Sequence, residues 1–294
     1  MRFPCRWLLV VAALMAGWLL PMACGGEGTS AATSYIILEA DTSVLPADVD
    51  VDEAMEEVEG IMKGRAKAFG GRVREAQRQE TNRLALELSG MTAEEAREKI
   101  GRTALLAFHE PERDETGENV VCTGATGETL TVPADVVETA DGSRRPTNLT
   151  TTADNHQWLC FPPGSTVPSG TVNWVPATGI GSDGQEKALT SRFLRGEETE
   201  VIFDAAGRPF VQARFNAEGG ALFEQVTTRL VGLPLGIFLD DELISAPTVQ
   251  GILSSDFVIT GLYLDEAETV ARQLRAGAMP VPVRVIDAGE GSLP

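Results

Sequence analysis

Apolar residues recur at two periods along this chain, and the period changes with position. Val51, Ala54, Met55, Val58, Ile61, Met62, Ala66 and Phe69 stand at helical spacing. Asp50 with Glu53 three places on predicts a capping box, and Gly70-Gly71 supplies the stop. Short apolar strands are predicted at 35–40, 73–77 and 83–88. In the last of these Leu84, Leu86 and Leu88 alternate with Arg83, Ala85 and Glu87, the period of a half-buried strand. Thr92 and Glu95 predict a second capped helix that ends near Ile100 and is closed by Gly101. A strand at 103–108 completes the order β-α-β-β-α-β, the ferredoxin-like pattern.

The pattern breaks at Pro111. Between 111 and 191 lie 7 of the 16 prolines, 9 glycines and 14 threonines, with no helical period, which predicts an irregular β-rich insertion. Regular periods return near Glu200, with strands at 200–203 and 210–215. Asn216 caps a helix carrying Ala221, Leu222, Val226 and Leu230, which Gly232 and Pro234 end. Strands follow at 235–239, 243–245 and 257–260. A helix at 265–276 shows Ala267, Val270, Ala271 and Leu274 on one face, with Asp265 and Glu268 as its capping box. A strand at 281–286 closes the pattern.

The start of the chain reads as an address. Arg2 and Arg6 precede an apolar run of 17 residues from Trp7 to Ala23, interrupted by Gly17 and Pro21. Comfortable spanning of a bilayer takes about 20 residues, so a secretory signal is the first reading. Cys24 follows Ala23 directly, which resembles the lipobox of bacterial lipoproteins, although Pro21 stands where that motif has Leu. Lipidation at Cys24, an uncleaved anchor helix and free secretion are the three outcomes, and all place the remainder outside the cytoplasm. Cys122 and Cys160 are then an even pair in an oxidising compartment, and either pair as a disulfide or stay as buried thiols.

Charge and composition narrow the chemistry. With 24 cationic and 43 anionic residues the net charge is −19, which excludes a phosphate-neutralising nucleic-acid binder. The two histidines, His109 and His156, lack partners at ligand spacing and read as structural. Gly179, Gly181 and Gly184 fit G-x-G-x-x-G, but Pro176 interrupts the approach, so a loop is expected rather than a phosphate cradle. Asp48, Asp50, Asp52 and Glu59 fit calcium-loop spacing, yet Glu53 holds the place that needs Gly, so an acidic helix start is expected. Asp240, Asp241 and Glu242 read as a solvated hairpin turn rather than catalytic carboxylates. No cofactor is expected. Trp158, Phe161 and Trp174, in the Pro-rich segment, either fill a small core or present a contact face to an extended polypeptide.

Several stretches resemble the first large periplasmic domain of the SecD family of protein-export subunits. They are Phe215-Asn-Ala-Glu-Gly219, Leu233-Pro-Leu-Gly-Ile-Phe-Leu-Asp240 with Leu243-Ile-Ser245-Ala-Pro247-Thr-Val249, and Leu274-Arg-Ala-Gly-Ala-Met-Pro280. More weakly, Arg65 and Gly70 fit the family's first helix, and 83–88 and 100–108 its following strands. The family's D-L-x-G-G element is missing, and its Asp-Gly turn is Asp240-Asp241 here. The resemblance implies an α+β fold. A ferredoxin-like βαββαβ base (35–110 and 256–287) carries an inserted β-rich head (111–255, with the irregular insertion 111–191). Before it come a signal peptide or anchor (1–23) and a tether (24–34), and after it a tail (288–294). Junctions near Glu110 and 254–256 are the candidate hinges. It also implies a non-enzymatic accessory protein of export on the extracytoplasmic face of the membrane. That protein would meet Sec translocase subunits or unfolded secretory polypeptide through its head, without the family's other membrane helices. The competing reading is an envelope lipoprotein that reuses the fold for ligand or protein binding.

Overall fold

The computed structural model describes residues 33–45, 50–103, 105–152, 157–277 and 279–294. The segment 1–23, Cys24, Asp48 and His156 lie outside the described residues. The described part has many strands and few helices, arranged around two separate hydrophobic cores.

The smaller body starts with β1 (Thr33–Ala40), α1 (Val51–Ala68), β2 (Arg72–Glu80) and β3 (Arg83–Ser89). A short α2 (Ala93–Glu95) then runs into a π-helical turn, Ala96–Ile100. Its antiparallel sheet is closed by β20 (Val283–Glu290), and the strand order is β2-β3-β1-β20. Asp50 caps α1 by accepting from Asp52 N, and Thr92 forms the expected capping box with Glu95. The apolar stripe of α1 packs Met55, Val58, Met62 and Ala66 onto Ile36, Leu38, Leu84, Leu86 and Leu88 of the sheet.

The larger body begins at β4 (Leu106–Pro111). The insertion supplies β5 (Asn119–Gly124), β6 (Thr129–Pro133), β7 (Val136–Glu138), β8 (Arg144–Pro146), β9 (Leu149–Thr151), β10 (Trp158–Cys160), β11 (Gly170–Val172), β12 (Trp174–Pro176), β13 (Thr178–Ile180) and β14 (Glu186–Ala188). Then come β15 (Glu200–Phe203), β16 (Pro209–Arg214), α3 (Ala217–Arg229), β17 (Gly236–Leu239), β18 (Glu242–Ser245), β19 (Asp256–Ile259) and α4 (Leu264–Arg275). The main sheets run β6-β5-β11-β10-β9, β12-β4-β17-β18 and β15-β16-β19. At their centre four rings pack together: Phe108, Phe215, Phe223 and Phe257, with centroids 5.0–6.2 Å apart.

Four expectations change. The strand predicted at 103–108 does not complete the first sheet. It is β4, pairing β12 and β17, and β20 takes the fourth place. The segment 256–287 does not sit with the smaller body as a whole. β19 pairs with β16, and the apolar face of α4 joins the larger core. Residues 288–294 are not only a tail, because β20 continues to Glu290, whose carboxylate accepts from Ala93 N. The insertion 111–191 is a set of short regular strands. Cys122 and Cys160 are joined there by a disulfide, both fully buried. Among the described residues no helix is long and apolar enough to cross a membrane.

Candidate functional site

An apolar groove of about 480 Å³ opens on the larger body between α3, β17, β19 and the loop after β18. Its floor is the ring cluster itself, through Phe108, Phe223 and Phe257, with Leu235, Ile237 and Val249 beside them. The rim carries Leu253 and Val258, which are 44% and 41% exposed, and Ile252, 59% exposed, stands in the same loop between Gly251 and Leu253. β18 and β19 are each the last strand of their sheets, so the groove lies beside strand edges rather than inside a closed sheet.

Local chemistry explains why this loop is held open. Thr227 is buried on α3, and its Oγ1 donates to Phe223 O at 2.8 Å and accepts from Leu253 N at 3.0 Å, fixing the rim loop to the helix. Gly220 lies under the same loop, and a Cβ there would meet Ser254 O at 2.3 Å, so only glycine lets loop and helix approach this closely. Asn216 caps α3 by accepting from Gly219 N at 2.9 Å. On the other rim Gln250 clasps the insertion, accepting from Arg144 N at 2.8 Å and donating to Arg144 O at 2.9 Å. At the end of the groove, hydrogen bonds from Ser255 and Arg214 hold Asp256 below the usual carboxylate range.

The residues singled out from sequence fall elsewhere. Trp158 is buried, and its Nε1 donates to Ala246 O at 3.0 Å, so it locks the insertion onto the larger body instead of presenting a contact face. Phe161 is half-buried. Trp174 is half-buried too, edge-on to Phe238 at 6.0 Å, and Phe238 also packs on His109 at 4.3 Å. Asp240 is not simply solvated. Its Oδ1 accepts from Leu105 N at 3.0 Å, and its Oδ2 is buried. Ser245 is buried 3.5 Å from Thr260 Oγ1, and Pro247 lines the groove. Gly184 takes the turn of the β13–β14 hairpin at φ +77°, and no helix follows. Asp50, Asp52 and Glu59 serve a helix cap and ion pairs to Arg78 and Lys63. Glu110 lies inside β4, paired with Arg229, and 254–256 are within the larger body, so neither candidate hinge is a passage between bodies. The groove was missed because its rim has no period. Its one signal was the apolar pair Ile252-Leu253 in a Gly/Ser loop.

Comparison with known proteins places the groove in context. Residues 183–281 match the family model SecDF, P1 head subdomain. Protein translocase subunit SecD of Dehalococcoides mccartyi is 28% identical over 260 residues, covering 86% of this chain and 47% of that protein. SecD of Dictyoglomus turgidum is 42% identical over 101 residues, 34% of this chain and 25% of that protein. The chain thus spans about half or less of the length of these relatives. A solved structure of SecDF, a membrane component that enhances protein export, superposes with a TM-score of 0.52. It is 23% identical and covers 86% of this chain and 98% of that one. The groove-forming segment from Gln212 to Thr260 lies wholly within the matched residues. The chain is therefore similar to SecD over most of its length, with the fold of the SecDF periplasmic domain and a P1 head-like segment at 183–281.

Proposed function

We propose that this chain is a tethered extracytoplasmic accessory of Sec-dependent protein export, acting by binding rather than by catalysis. The smaller body is a ferredoxin-like base, and the larger body is a head that meets unfolded polypeptide or the translocase through the groove. Cys24 carries the lipid anchor, after removal of 1–23. The observation that carries the reading is the coincidence of the groove with the head-matched residues. An open apolar groove beside free strand edges suits an extended, unfolded chain better than a small polar metabolite.

The test is photo-crosslinking in native membranes with a probe at Leu253 or Val258, and with Val167, 68% exposed in the insertion, as control. Capture of Sec channel subunits or secretory precursors from the rim but not from Val167 is the expected result. Capture of other envelope components alone removes the export role and leaves the lipoprotein reading.

A further inference from the structure

The insertion reaches the groove from outside the matched head segment, and a disulfide sets how it arrives. Cys122 lies on β5 and Cys160 on β10, with β11 running between them. In a flat sheet such second neighbours stand about 9–10 Å apart. Here the two Cα atoms are 6.5 Å apart, so the sheet curls inward over its own disulfide. Gly170 on β11 permits the curl, since a Cβ there would meet Thr123 O at 2.5 Å. Trp158 stands two residues before Cys160 and shares its buried face. That face meets the chain after β18, where Trp158 Nε1 donates to Ala246 O at 3.0 Å.

Ala246 opens the segment 246–250, which forms one wall of the groove through Pro247, Thr248, Val249 and Gln250. This wall is held on two sides. Toward β17 it is held by backbone bonds: Gly232 N to Val249 O at 2.7 Å, Val249 N to Leu233 O at 2.9 Å and Leu235 N to Pro247 O at 3.0 Å. Pro247 has no N–H with which to return the Leu235 bond, so the ladder is weakest there. On the other side the insertion holds the wall at both ends, with Trp158 at Ala246 and Arg144 at Gln250.

We infer that Trp158 and Gln250 are positioning residues of the groove, and that the Cys122–Cys160 disulfide acts through Trp158 to keep the wall in place before anything binds. An ordered wall costs the occupant nothing to fix. A wall freed from the insertion must be ordered at the moment of binding, and that ordering is subtracted from the affinity. The insertion is then part of the site without touching the occupant. The inference rests on the groove being the contact site and adds what keeps its shape.

Amide hydrogen exchange of the full chain tests the wall. Fluorescence anisotropy of a dye-labelled peptide of alternating leucine and serine, with a lysine at each end, tests its use. Trp158→Phe keeps a ring and removes the N–H. Gln250→Ala removes the other clasp at an exposed position, where folding is not at stake. Each should speed exchange at the Gly232, Leu235 and Val249 amides about fivefold and weaken peptide binding by a similar factor. Cys122→Ala with Cys160→Ala should do the same, and if that variant does not fold, the other two decide. Val132→Ala is the control. Val132 is buried on β6, with β5 and β11 between it and β10, so the substitution costs stability through a cavity and should leave both readings unchanged. Unchanged exchange in Trp158→Phe and Gln250→Ala, an equal gain in Val132→Ala, or unchanged affinity where the unsubstituted chain binds the peptide overturns the inference. If no form binds the peptide while exchange rises as expected, the bracing of the wall stands and the groove as contact site falls.

Discussion

Among the described residues the smaller core is filled by aliphatic side chains and four methionines, Met55, Met62, Met91 and Met279, and no aromatic ring is among its buried members. The larger core is organised by four phenylalanines in mutual contact, with Trp158 nearby. The difference follows from what each must present. The smaller body covers one face of its sheet with a helix, and flexible thioethers fill whatever gaps remain. The larger body has an apolar groove open to solvent above its ring cluster. Rigid rings with fixed centroid spacing hold that floor, because few rotamers are available to fill the space.

The sharpest way to break this contrast is one substitution in each core. Phe215→Ala removes a ring with three partners at 5.0, 5.1 and 5.4 Å and should lower stability by about 3–5 kcal/mol in chemical denaturation. Met62→Leu, fully buried in the other core, keeps volume and should cost less than about 1.5 kcal/mol. Equal losses would mean that both cores are equally specific and that the rings are ordinary filling.

What could be read from sequence follows the same division. α1 and the alternating strand β3 were legible because local period and burial agree there: Leu84, Leu86 and Leu88 are fully buried on one face. The fourth strand of that sheet was not, because β20 arrives from the far end of the chain and no local pattern specifies so distant a partner. A strand at 103–108 fitted the β-α-β-β-α-β order by sequence alone, while its pairing with β17 was decided by packing of Phe108 and Ile237. The helix at 264–275 was placed correctly but its cap was misread by two residues, since Glu266 reaches back to Tyr263 N. Trp158 was ambiguous for a different reason. An indole in a Pro-rich segment serves a core or a surface equally well, and only its bond to Ala246 O decides. Asp240 was read from its turn, whereas its role is set by Leu105, 135 residues away.

The insertion offers a second, smaller test. Residues 111–182 lie outside the matched head segment, yet Val120, Cys122, Val132, Leu149 and Cys160 share its core. A disulfide with a sequence separation of 38 limits the unfolded chain and contributes roughly 3–4 kcal/mol in the loop-entropy model. Cys122→Ala with Cys160→Ala should lose about 2–4 kcal/mol while leaving the unfolding of the smaller body unchanged by hydrogen exchange. Protection lost evenly over β1, β3 and β20 would show instead that the two cores unfold as one unit.

The smallest effect compares two carboxylates, one from each body. In the smaller body Glu39 titrates below the usual range chiefly through hydrogen bonds from Arg284 and Arg83, which are charged partners. In the insertion Asp114 is lowered to about 2, first by Asn119 and then by Thr116, which are neutral donors. Both are depressed, so each stabilises the fold at pH above the unfolded carboxylate value near ~4, and the contribution fades as pH falls through the folded value. Salt separates them. Near about 1 M the screening length falls to ~3 Å, which weakens an ion pair at the surface but not a hydrogen bond from an amide or hydroxyl. Carboxyl carbon titrations should therefore show the Glu39 midpoint rising toward its ordinary value with salt while Asp114 stays fixed. If the Asp114 midpoint rises equally, the charged neighbourhood rather than Asn119 and Thr116 sets it, and the two acids are held by the same means.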